Sequence, residues 1–180
     1  MKIILSILLC FSLASCTVYG VTNDYKKLSN EQKNTIVPLE DFEKTEQNYV
    51  YKINGQQLKT ELSKHPKSVV YIFTNGCKSA YCLPMSNYER FAKENGYKLF
   101  LVMEGYGELQ QTTKQRSEVF TEPLFSIDND HYNSWYSIRF HRLFENELRG
   151  IAKKSKPEWE GNLYFFKYDK LEKITRELPQ

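Results

Sequence analysis

The chain has 180 residues, 25 Lys and Arg against 22 Asp and Glu, and 41% of it is hydrophobic. A length of this order builds one core, and 8 Gly and 6 Pro exclude collagen-like and low-complexity classes. A net charge of +3 with acids interleaved among the bases argues against a nucleic-acid partner, and a mean hydropathy of −0.59 excludes a polytopic membrane protein.

The N-terminus carries the strongest signal. Lys2 precedes the apolar run Ile3 to Leu9, and Leu13-Ala14-Ser15-Cys16 closes it with small residues. A membrane-spanning helix needs about 20 residues, so this run reads as an export signal. Leu-Ala-Ser-Cys resembles the lipobox of bacterial lipoproteins. The resemblance implies that residues 1–15 are removed as a signal peptide and that Cys16 is acylated, making membrane lipid a partner. Several acyl chains give stable anchoring. Thr17 resembles the sorting residue of outer-membrane lipoproteins, which favours the outer over the inner membrane of a bacterial cell envelope. An ordinary cleaved signal peptide, with Cys16 incidental, is the other reading. Cleavage also removes Cys10, leaving Cys77 and Cys82 as a pair in a compartment where disulfides persist.

Residues 16–48 are polar and irregular and read as a lipid-anchored tether with a reach of roughly 30 Å. The alternative is that Ile36-Val37-Pro38-Leu39 packs onto the domain that follows. Within 49–180, strand and helix signals alternate. Tyr49 to Ile53 is β-rich. Gly55 to His65 is helical, with Leu58 and Leu62 at i, i+4 and Pro66 as a stop. Ser68 to Phe73 is continuously apolar, as a strand covered on both faces should be. Pro84 to Asn95 is a helix ending at Gly96, with Ser86 and Glu89 at capping-box spacing. Leu99 to Met103 is a second buried strand. A helix from Gly107 to Arg116, a strand from Pro123 to Ile127 and a long helix from about Tyr132 to Arg149 follow. That long helix carries Trp135, Ile138, Phe140, Leu143, Phe144 and Leu148. Leu163 to Phe166 and Leu171 to Ile174 flank Asp169 as a hairpin. The pattern argues for a mixed α/β sheet with helices on both faces.

Cys77-Lys78-Ser79-Ala80-Tyr81-Cys82 follows the carboxyl end of a buried strand and precedes a helix, the edge where chemistry collects in open α/β sheets. A nearby helix N-terminus favours a thiolate. Five positions along one helix rotate by about 140°, so both cysteines cannot share a helix face and Cys77 belongs to the loop. Strand, two-cysteine turn, helix, parallel strand and late hairpin resemble the thioredoxin-like fold, especially its exported, membrane-tethered members. The resemblance implies that Cys77 attacks a disulfide of a protein substrate and that Cys82 resolves the mixed disulfide. The sequence departs from the family in three places. Four residues separate the cysteines instead of two, no Trp precedes Cys77, and Gly161-Asn162 stands where the family has a cis-proline before the hairpin. A structural disulfide, a redox-active pair and a metal site all remain open readings of the cysteines.

Parallel strands would bring Glu104 to the edge that holds Cys77, as a proton acceptor or simply as a solvated strand end. Gly105-Tyr106-Gly107 lacks the rest of a phosphate-loop signature. Asp128-Asn129-Asp130 lacks the glycine and distant glutamate of a calcium loop and reads as a turn. His65, His131 and His141 have no zinc spacing, although exported thioredoxin-like copper chaperones combine two cysteines with a later histidine, here His131 or His141. No cofactor or resident metal is expected. Arg139, His141, Arg142, Lys153, Lys154 and Lys156 form a basic face, either solvated or opposed to anionic headgroups. Three functions follow as expectations: thiol–disulfide exchange, a non-catalytic envelope or surface interaction module with a structural disulfide, and, as a minor option, copper delivery.

Overall fold

Two unbroken apolar runs form the middle of the sheet. β3 (Ser68–Phe73) is buried at every position and β4 (Lys98–Met103) at every position after Lys98. They pair in parallel from Ser68 with Lys98 to Phe73 with Met103. Alternation divides their side chains between two cores. Val70, Ile72, Phe100 and Val102 face one side, where α2 (Gly55–Leu62) and α5 (Ser137–Arg149) cover them with Leu58, Leu62, Phe140 and Phe144. Val69, Tyr71, Phe73, Leu101 and Met103 face the other, beneath Tyr88 and Ala92 of α3 (Met85–Asn95) and Leu109 of α4 (Leu109–Gln115). This computed structural model describes residues 21–77, 79, 82–116 and 119–179, so the signal peptide over 1–15 and Cys16 lie outside the described residues.

The other strands are β1 (Ile36–Pro38), β2 (Val50–Ile53), β5 (Leu124–Ile127), β6 (Leu163–Lys167) and β7 (Lys170–Thr175). Their order is β1-β2-β5-β4-β3-β6-β7. The first five are parallel, β6 runs antiparallel to β3, and β7 returns antiparallel to β6. The expected architecture is present: a mixed sheet with helices on both faces and a C-terminal hairpin, consistent with a thioredoxin-like α/β fold. Among the described residues no helix is long and apolar enough to cross a membrane.

Three local expectations are corrected. The tether expected over 16–48 is folded from Val21 onward. Ser29 and Gln32 form a capping box that starts α1 (Asn30–Asn34), and β1 then pairs with β2, Ile36 opposite Val50. Ile36 and Leu39 are buried, so the edge of β2 gains a strand and the segment gains a core contact. The long helix begins at Ser137, not Tyr132, because Asn133 takes φ 46° and turns the chain. Tyr132 is buried ahead of it, accepting from Gly55 N–H at 2.9 Å and donating to Glu147 at 2.6 Å. The Ser86–Glu89 capping box does not form. Pro84 is the N-cap, and the buried Glu89 carboxylate instead accepts from Lys93 Nζ at 2.9 Å and from Thr121 N–H at 3.2 Å.

Candidate functional site

Past Phe73 the chain leaves the sheet through Thr74, Asn75 and Gly76. Gly76 has φ 66°, and a Cβ there would lie 2.8 Å from Cβ of Glu108, so this turn requires glycine. Cys77 and Cys82 form a disulfide with Cα atoms 6.1 Å apart. Cys77 is exposed and Cys82 half-buried. The Cys82 N–H donates to Ser79 O at 3.0 Å across the loop. α3 begins beyond Pro84, so Cys77 stands outside its first turn, where the favourable end of the helix dipole acts. The expected help from the helix to a Cys77 thiolate is correspondingly weak.

The disulfide borders a groove of about 250 Å³ floored by Tyr71 and Phe73 and walled by Met85, Gln111 and Gln115. Among the described residues lining it, none has a charged or imidazole side chain. Tyr71 stacks on Tyr88 at 4.0 Å, and burial, reinforced by the Tyr88 hydroxyl, pushes its phenol far above the usual range. It supplies no proton at neutral pH.

Asn75 fixes the turn ahead of Cys77. It is buried, its Nδ2 donates to Gly105 O at 2.7 Å, and its Oδ1 accepts from the Thr112 hydroxyl at 2.6 Å. The disulfide loop is thereby tied to the segment after β4 and to α4. Neither Asn75 nor Thr112 was a candidate from the sequence. Their partners lie 30 and 37 positions away, and no local signal announces such a bond.

Glu104 does reach the edge that holds Cys77, since its N–H donates to Phe73 O at 2.9 Å. Its carboxylate, however, accepts from the Thr74 hydroxyl at 2.6 Å and lines a separate cavity of about 340 Å³ with Asp24, Asn75, Glu108, Ser137 and His141. His141 Nε2 donates to Glu104 O at 2.6 Å; a carbonyl only accepts, so Nε2 carries the hydrogen. One turn further along α5, burial pushes the Glu145 carboxyl up, opposed by the Tyr164 hydroxyl donating at 2.9 Å.

His131 lies 3.7 Å from Glu147, and neither it nor His141 lines the disulfide groove. Among the described residues, no three His, Cys, Asp or Glu side chains gather as a metal site. Asp128 and Asp130 flank a turn, and Lys52 Nζ fills the space between them at 3.6 and 2.8 Å. Burial opposes the Lys52 charge, but the two aspartates outweigh it and raise its pKa.

Gly161 and Asn162 are built into the sheet. A Cβ on Gly161 would fall 2.2 Å from Thr175 O. Asn162 N–H donates to that same oxygen at 3.2 Å, and Asn162 O accepts from Ile72 N–H at 2.9 Å. Proline would collide at the first position and lose a donor at the second. The chain matches no protein-family model, no curated protein and no solved structure.

Proposed function

We propose that the chain is a lipid-anchored protein of the bacterial envelope whose thioredoxin-like domain presents the Cys77–Cys82 disulfide to protein thiols for slow thiol–disulfide exchange. The observation that carries the reading is the exposed Cys77 on an open groove at the carboxyl end of β3. A substrate thiolate attacks Cys77 Sγ, the S–S bond breaks, and Cys82 leaves as a thiolate. A second substrate thiolate then attacks the substrate sulfur of the mixed disulfide and releases Cys77 as a thiolate. The substrate dithiol loses two electrons and the pair gains them; the reverse sequence reduces a substrate disulfide. The Leu13 to Cys16 motif supports the anchor, and Thr17 supports the outer membrane.

Two variants test the reading. Cys82→Ser should accumulate mixed disulfides with envelope proteins, lost when Cys77 is also changed to Ser; a Cys82→Ser protein that traps nothing contradicts exchange. Cys16→Ala should abolish fatty-acid labelling, and labelling equal to wild type contradicts the anchor. The second reading, an interaction module with a structural disulfide, is favoured by one observation: no described residue in the groove can take a proton from a thiol.

A further inference from the structure

Large apolar residues at the start of α5 face outward. Trp135 is 71% exposed, Ile138 62% and Tyr136 41%, whereas Phe140, Leu143 and Phe144 of the same segment enter the core. The described chain begins beside them. Ser137 N–H donates to Val21 O at 3.0 Å and Tyr106 N–H to Asn23 O at 2.8 Å, so Val21, itself 42% exposed, is stapled to the first residue of α5. Lys26 and Trp135 border one hollow, and Arg139 lies exposed next to Ile138. Neither Lys26 nor Arg139 is in an ion pair among the described residues. Of the acids nearby, Asp24 is matched by Lys27 and Asp130 by Lys52, each at 2.8 Å, while Glu104 and Glu108 line the cavity behind Ser137.

Cys16 lies five residues before Val21. Five residues extend at most about 18 Å, so an anchor at Cys16 holds this patch close to the bilayer. We infer that the face formed by Val21, Trp135, Tyr136 and Ile138, with Lys26 and Arg139 at its rim, docks on the membrane that holds the protein's own lipid. This inference rests on acylation of Cys16. Trp and Tyr rings settle at the headgroup level, and basic side chains are drawn to anionic phosphates. The cavity lined by both Thr74 and Ser137 places the disulfide turn on the same edge of the sheet, so exchange would be directed at proteins near the membrane surface.

The two tryptophans make the test internal. Trp159, 61% exposed, lies in the loop before β6 and stacks with Arg176, outside the patch. Lipidated full-length mature protein is reconstituted in vesicles of phosphatidylglycerol and brominated phosphatidylcholine, as Trp159→Phe and as Trp135→Phe. Flotation and the mass of the N-terminal peptide report the anchor separately. Trp135 emission should be quenched several-fold more than Trp159 emission, and Arg139→Glu should weaken that quenching. Floated, acylated protein with Trp135 unquenched overturns the docking face alone and returns the patch to a protein partner. Protein with no acyl chain on Cys16 overturns the docking face together with the anchor.

Discussion

The hydroxyl of Thr74 donates to the carboxylate of Glu104 at 2.6 Å, joining the ends of β3 and β4. The bond holds the Glu104 carboxylate against the neighbouring cavity, which Glu108 also lines, and neither carboxylate lines the groove that Cys77 borders. A general base contributes about a hundredfold or more to a proton-transfer step. Glu104→Gln should therefore leave the rate of exchange with a small dithiol within about twofold of wild type. A hundredfold fall would make Glu104 the thiol's proton acceptor.

Turnover should be slow for the same reason. No described residue lining the groove can accept a proton, and Cys77 lies outside the first turn of α3. Reduction of insulin disulfides should run at least about a hundredfold below the rate of a thioredoxin, because one such group alone accounts for that factor. A thioredoxin-like rate, lost in Cys77→Ser, would mean that the thiolate is stabilised by something other than the helix and the groove.

Asn75 holds the turn by two bonds, of which the one from Thr112 is buried. Asn75→Ala would leave the Thr112 hydroxyl buried without its acceptor, and the loss should cost about 1–3 kcal/mol in urea unfolding. Loosening the turn should also speed reduction of the disulfide by dithiothreitol. Unchanged stability would show that Thr112 finds another partner.

β3, β4 and the hairpin were legible because each is local: an unbroken apolar run must be a covered strand, and Tyr168-Asp169 between two strand patterns must be a turn. The position of β5 between β2 and β4 was not, since strand order is decided by which edges the helices leave open. α1 is not legible, and the packing of Ile36 to Leu39 stands only as the alternative to a tether, because both elements are short and Ile36 is the only buried residue in the two. Trp135 misled the reading of α5, for its spacing fits a buried helical stripe although its side chain points to solvent. Glu89 misled in the opposite way. Its capping-box spacing is real, but a partner 32 positions away, Thr121, takes the carboxylate.

That carboxylate also sets a pH dependence. Burial pushes Glu89 up, yet the hydrogen bonds from Thr121 and Lys93 outweigh it and hold its pKa below the ordinary 4.5. Glu61 behaves alike: burial is outweighed by Lys64 and His65. A carboxyl depressed on folding stabilises the protein above its unfolded value, and the gain disappears as pH falls through the folded value. Stability should therefore decline on acidification from about pH 4.5 downward. Glu89→Gln should be less stable at neutral pH and show a flatter acid limb. An acid limb identical to wild type would place the titrating groups elsewhere.

The reduction potential of the Cys77–Cys82 pair, measured in thiol redox buffers on the full mature protein, is the most direct measurement of whether this disulfide is built for exchange. A bridge whose Cys77 is exposed should fall between about −270 and −120 mV, where partners can both reduce and reform it. A potential below about −300 mV would contradict exchange and make the disulfide a structural closure of the loop.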